Sequence, residues 1–222
     1  MEWSLHRQLK ERFGPDAGGR SEVTLGSFRV DAEGPDGRLI EVQSSPLGLL
    51  KPKLSQLLAT HRVEVIKPVV IRRRRIRRDF RTGLILGSRL SPKRGALIDA
   101  FDELVGIAHL FPHTNLSIKV MGVDVDEVRE PRRRRPGYTV VDRILREEVE
   151  SVDLVDGSDL WKLLPEDLPG RFSTSQLAER LGRPVDFARR VAYCLRKCGA
   201  AEVIGKQGNR RIYGRQKALS VR

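Results

Sequence analysis

Apolar residues recur every four positions at Leu5, Leu9 and Phe13, which predicts a helix over residues 2–13. Gly14-Pro15 and Gly18-Gly19 end it. The period then shortens, and strands are predicted over residues 22–25, 28–32 and 39–44. Gly26-Ser27 separates the first two, and the turn Gly34-Pro35-Asp36-Gly37 separates the last two. Leu47, Leu50, Leu54, Leu57 and Leu58 mark a second amphipathic helix ending near His61, with Pro52 confined to its first turn. Residues 63–71 read as a buried strand, and a basic stretch without a clear element continues to Lys93. A third helix is expected over residues 96–110 and an alternating strand over 116–125.

From Glu130 to Gly137 four arginines lie between two prolines, the pattern of a linker. Helices are predicted beyond it at residues 140–149, 158–164, 173–181 and 185–198. Ser173 is placed to cap one of them, Gly182 to close it, and Pro184 to open the next. Residues 201–204 and 210–213 read as a hairpin with a polar tip. These elements divide the chain into a domain over residues 1–128, a basic linker over 129–139 and a second domain over 140–215.

Composition narrows the class. The chain has 222 residues, 39% hydrophobic and 32% charged, too apolar for a disordered tail and without the ~18-residue apolar run of a membrane span. The first residues lack a secretory pattern and there are only two cysteines, Cys194 and Cys198. The expectation is a soluble cytoplasmic protein with reduced thiols. The net charge is +13 and is unevenly placed. One cluster is Arg72 to Arg75 with Arg77 and Arg78, a second is Arg132, Arg133, Arg134 and Arg135, and the region after Gly170 is the third. Like charges crowded together cost stability unless an anion compensates them, and nucleic acid is the commonest polyanion in a cytoplasm. A solvated surface is the plainer reading of any single cluster. DNA is the expected partner, with RNA, a homodimer or a protein complex left open and no membrane contact expected.

The C-terminal elements, two short helices joined through Gly182-Arg183-Pro184 and then a basic hairpin, resemble a winged helix-turn-helix domain. That resemblance implies DNA contact through Arg183, Arg189, Arg190, Arg196 and Lys197 on or beside the second helix, and through Lys206, Arg210 and Arg211 on the wing. Winged helices also dock proteins. Cys194 and Cys198 have no further ligands at zinc spacing and read as packing residues.

The stretch from Arg29 to Gln43 carries the candidate chemistry. If the hairpin folds symmetrically about Asp36, Asp31 faces Glu41 at ~5 Å by Cβ, with Gln43 two positions on along the same face. Two carboxylates so close repel unless a cation or a shared proton resolves the conflict, and a hard divalent ion is the natural answer. A one-residue register slip would split the pair, and Glu33 is a competing ligand if the turn is looser. A plainer reading has two solvated acids, because Ile40 and Val42 alternate with Glu41 and Gln43. The order helix, three strands, helix, strand, with Asp31 and Glu41-Val42-Gln43 on the hairpin, resembles the PD-(D/E)xK nuclease superfamily over about residues 1–71. The resemblance implies that Asp31, Glu41 and the Val42 carbonyl bind Mg²⁺ or Mn²⁺. Glu2 would be a further acid, although a helix-start acid is the plainer reading, and His6 and Lys10 follow it at four-residue spacing. Gln43 stands where the superfamily usually has lysine, and Lys53 or Lys51 would be the substitute. The whole chain also resembles a family of uncharacterised bacterial proteins, through Ser4-Leu5-His6, Leu39 to Gln43, Ser91 to Gly95, Phe101 to Val105, Leu164 to Pro169 and Ala192 to Lys197.

The expected fold is therefore α/β (α+β), a restriction-endonuclease-like mixed sheet flanked by helices, plus a C-terminal winged helix-turn-helix domain. The expected function is an Mg/Mn-dependent endonuclease acting on DNA. A DNA-binding regulator or scaffold with a degenerate nuclease fold is the alternative.

Overall fold

Helix α1 (Ser4–Phe13) forms because Leu5 and Leu9 fall on one face and find a sheet to cover. The computed structural model describes residues 3–216. Leu5 and Leu9 are buried against Ala32, Ile40, Val42, Ile66, Met121, Val123 and Val125, each leucine contributing about 1.5–3 kcal/mol through removal from water. The strands beneath are β1 (Arg20–Leu25), β2 (Phe28–Glu33), β3 (Leu39–Val42), β4 (Val63–Arg78), β5 (Ile85–Leu90), β6 (Leu116–Pro131) and β7 (Tyr138–Leu154). Their order in the sheet is β1-β2-β3-β4-β6-β7, and β5 pairs with β4 off that path. The fold is mixed α+β with a large mixed sheet flanked by helices.

Direction follows from spacing. Arg72 N–H donates to Asp124, and Arg74 and Arg78 pair with Asp126 and Glu130, each partner 52 residues further on. A constant separation is the mark of parallel strands, so β4 and β6 run together. β1–β2, β2–β3 and β4–β5 are antiparallel.

The chain divides into two units. One holds the residues up to Ser44 with Val65–Leu97 and Val120–Ser151; the other holds Ser45–Glu64, Ile98–Lys119 and the chain from Val152 onward. In the second unit, α2 (Lys51–Leu57) has Pro52 near its start, as expected, and α3 (Phe101–Leu104) follows a 3-10 turn over Leu97–Ala100. Gly106 lies against Gly48 so closely that a Cβ on Gly106 would meet the Gly48 backbone at 2.8 Å. A 3-10 helix (Gly157–Leu163) precedes β8 (Arg171–Ser173), α4 (Thr174–Leu181), α5 (Val185–Lys197), β9 (Ala201–Gln207) and β10 (Arg210–Arg215). These last strands form a sheet in the order β8-β10-β9. Ser173 caps α4 in a reciprocal box with Gln176, and Gly182 leaves it at φ 59°. Trp161 donates its indole N–H to the Ala200 carbonyl and packs edge-on to Phe172, which stacks on Tyr213. Among the described residues no helix is long and apolar enough to cross a membrane.

Several expected elements differ. Residues 140–149 lie in strand β7, not in a helix. Val140, Ile144, Leu145 and Val149 imitate helical spacing, but β-branched residues and the hairpin with β6 favour the strand. The expected linker, residues 129–139, is the end of β6, a turn and the start of β7; Arg132 N–H to the Gly137 carbonyl closes that turn at 3.0 Å. The stretch after Ile71 continues β4 to Arg78 and returns as β5. The helix expected over 96–110 is limited to the 3-10 turn and α3, and the chain breaks into turns from Val105.

Carboxylates explain how an arginine run becomes a strand. Arg74 grips Asp126 in a fork, Nε at 2.7 Å and Nη2 at 2.5 Å, and Arg78 grips Glu130 at 3.1 and 2.7 Å. Glu127, with a side chain 1% exposed, faces Arg73 at 3.2 Å, Arg129 at 2.5 Å and Arg143 at 3.3 Å. Burial pushes the Glu127 carboxyl up, but the Arg129 hydrogen bonds and the charges of Arg73, Arg129 and Arg143 outweigh it and hold it below the usual range. A carboxyl lowered in the folded state stabilises it above the unfolded pKa, and that contribution is lost as pH falls through the folded value. Glu127→Gln is expected to cost about 3 kcal/mol in denaturant titrations at neutral pH, by leaving buried cations uncompensated. It should also flatten the loss of stability below the ordinary glutamate range.

Candidate functional site

The β2–β3 hairpin has the register that symmetry about Asp36 requires, pairing Ala32 with Ile40 and Glu33 with Leu39. Continued by one residue, it sets Asp31 opposite Glu41 on one face. The two acids lace each other's strands. Asp31 Oδ2 accepts the Val42 N–H at 2.9 Å, and Glu41 Oε1 accepts the Asp31 N–H at 3.4 Å. Helix α1 brings His6 Nε2 to 3.2 Å from Asp31 Oδ1. Ile40 and Val42 point into the core as their alternation predicts, yet Glu41 is also buried, because every residue of β3 is covered. Central position in the sheet explains why alternation did not expose the acid.

The other residues expected around this pair are distributed as follows. Gln43 is half-buried just beyond β3 and donates its backbone N–H to the Ile66 carbonyl at 2.9 Å. Lys53 lies on α2, in the second unit. Glu2 lies outside the described residues. Lys10, one turn beyond His6 on α1, is buried and bonds Glu22 at 3.0 Å. Glu22 also pairs with Arg29, and its carboxyl is lowered, first by the Lys10 hydrogen bond and then by that of Arg29. It sits at φ 58°, a left-handed conformation that costs a glutamate strain energy. Sequence reasoning missed Glu22, since a strand-edge acid gives no signal of its partner. Among the described residues no group of three or more His, Cys, Asp and Glu is gathered as a metal site.

The basic residues expected on nucleic acid fall into two groups. Arg183, in the α4–α5 turn, bonds Asp99 of the 3-10 turn at 2.6 Å, and Arg190 of α5 bonds Asp102 of α3 at 2.6 Å, so both make ion pairs within the second unit. Arg189, Arg196 and Lys197 are exposed along α5 with Tyr193 between them, and Arg189 also reaches Asp186 at 2.6 Å. On the β9–β10 hairpin, Lys206 faces Arg211 directly, Arg210 is next to it, and all three are exposed. Arg132, Arg133, Arg134 and Arg135 are exposed at the β6–β7 turn, where Arg132 folds back onto the carbonyls of Arg134 and Arg135. Cys194 and Cys198 are free and buried; desolvation pushes the Cys198 thiol up to about 12 and raises Cys194 as well. Both pack the helix, as their spacing predicts.

The chain belongs to the family described as "Domain of unknown function (DUF8091)", whose model matches residues 3–155. It is similar to a protein of Treponema pallidum (strain Nichols) named "Uncharacterized protein", 34% identical over 220 residues, covering 97% of this chain and 86% of that protein. No solved structure matches.

The two groups of arginines should separate by mutation. Arg183→Ala or Arg190→Ala is expected to lower stability by up to about 1 kcal/mol in thermal denaturation. Arg196→Ala should leave the melting temperature unchanged.

Proposed function

We propose that this protein is a metal-dependent phosphodiesterase acting on DNA, with a restriction-endonuclease-like sheet in the first unit and a winged helix-turn-helix in the second. The observation that carries the reading is the hairpin register, which makes Asp31 and Glu41 cross-strand partners with Gln43 following. The donor set suits a hard cation: two carboxylates and the Val42 carbonyl are all oxygen ligands. Mg²⁺ or Mn²⁺ held there would supply a lowered water pKa and charge neutralisation at the scissile phosphate. Within the chain, the Asp31–Val42 and Glu41–Asp31 hydrogen bonds fix both carboxylates. His6 orients Asp31, and the Gln43 amide offers a neutral hydrogen bond to a water or a phosphate oxygen. Glu2 keeps the role the superfamily resemblance gives it, and Lys53, which belongs to the second unit, is assigned none here.

DNA affinity is assigned to the exposed stripe Arg189, Arg196 and Lys197 on α5, to Lys206, Arg210 and Arg211 on the hairpin, and to Arg132 to Arg135. Arg183 and Arg190 serve structure first. A helix presenting cations and a following basic hairpin fit a groove and the backbone beside it.

A second reading has specific support. Gln43 occupies the usual lysine position, and the Asp31 and Glu41 carboxylates are already engaged by backbone N–H groups and His6. Both favour a non-catalytic DNA-binding regulator or scaffold.

The deciding measurement is cleavage of supercoiled, single-stranded and branched DNA by the full chain with Mg²⁺ and with Mn²⁺. Expected are nicking that chelation stops, and its loss in Asp31→Asn and Glu41→Gln with DNA binding retained. Binding without cleavage under either metal selects the regulator.

A further inference from the structure

In the first unit, strands β4, β5 and β6 and the β6–β7 turn line an open cavity of about 670 Å³. Its cations are Arg75 and Arg77 of β4, Arg89 of β5 and Arg129 of β6. Arg75 and Arg89 are direct cross-strand partners in the β4–β5 ladder. Like charges in that position repel, and a fold retains them at a cost unless something negative lies between. The carboxylates nearby are already committed: Glu130, which lines the cavity, is gripped by Arg78, and Glu127 is gripped by Arg129. Arg75, Arg77 and Arg89 make no ion pair with a carboxylate among the described residues. The Arg75 Nε is buried with no hydrogen-bond partner among the described residues. A buried unsatisfied donor beside an opposed pair of cations calls for an anion with several acceptor oxygens, and guanidinium forks match phosphate.

The rest of the wall narrows the ligand. Ile76, Leu86 and Pro131 are apolar, and Arg129 stacks over the Tyr138 ring at 3.9 Å, making a flat surface. The volume is that of a small-molecule site, not of a single ion. We propose that this cavity binds a nucleotide-class ligand, its phosphate held by Arg75, Arg77 and Arg89 and its planar ring lying against Tyr138. The inference stands apart from the Asp31–Glu41 reading, and either can fail alone. The phosphate and base come either from a free mononucleotide or from the end of a nucleic-acid strand.

Calorimetric titration of the full chain tests it. The probes are adenosine and guanosine 5′-monophosphate, unphosphorylated adenosine, ribose 5-phosphate, and a 5′-phosphorylated single-stranded tetranucleotide. Saturable binding of a mononucleotide is expected, at least tenfold tighter than adenosine and tighter than ribose 5-phosphate. Arg77→Gln and Arg89→Gln should each weaken it about tenfold. Arg94→Gln, at an exposed arginine beyond β5 that does not line the cavity, should leave it unchanged. Binding of the tetranucleotide alone, with the same dependence on Arg77 and Arg89, identifies a strand end as the source. No saturable binding of any phosphorylated probe at millimolar concentration overturns the proposal. So does binding indifferent to both arginine variants, or adenosine binding as tightly as its monophosphate.

Discussion

Parallel strands crowded with arginine can lie beside one another only if the charge is answered inside the sheet. Here β6 supplies the answer. Asp126, Glu127 and Glu130 face Arg73, Arg74, Arg78 and Arg129 within β4 and β6, and β7 adds Arg143 to Glu127. Glu127 is the centre of the arrangement, being almost fully buried and shared among three guanidinium groups. Its electrostatics are those of a desolvated anion whose surroundings over-compensate the desolvation. The same pairing selects among the arginines. Those with a carboxylate hold the strands, and Arg75, Arg77 and Arg89, which have none among the described residues, line the cavity as a cationic surface.

The acidic side of the molecule follows the same logic with the sign reversed. Asp31 and Glu41 are set opposite by a symmetric hairpin and are kept there by bonds to each other's backbone. Each carboxylate is thereby a structural acceptor as well as a candidate ligand. His6 on α1 joins them because the leucines on the neighbouring face of that helix fix its rotation over the sheet. The chemistry at this point is therefore set by the burial of Leu5 and Leu9 as much as by the acids.

Much of this was legible before the coordinates. Turn residues marked the β2–β3 hairpin and its register, because glycine and proline leave little choice of turn. Ser173, Gly182 and Pro184 marked α4 and α5 for similar local reasons. What escaped was decided by distant partners. Arg72 to Arg78 carry no hydrophobic period, and that stretch is a strand through its ladder with β5 and its pairing with Asp126, Glu127 and Glu130, more than fifty residues on. Val140 to Val149 carried a misleading helical period that hairpin pairing overruled. At the site, the Asp31–Glu41 pairing could be read from the symmetry of the turn, whereas the approach of His6 to Asp31 depends on how α1 packs on the sheet. The pairing of Lys10 with Glu22 could not, nor could the capture of Arg183 and Arg190 by Asp99 and Asp102, since no local pattern encodes an ion pair across the fold.

Each unit is assembled from three separate stretches, so the polypeptide passes from one to the other five times. Such interleaving has a practical consequence: no single cut in the polypeptide separates all of one unit from all of the other, so neither can be produced whole as one continuous fragment.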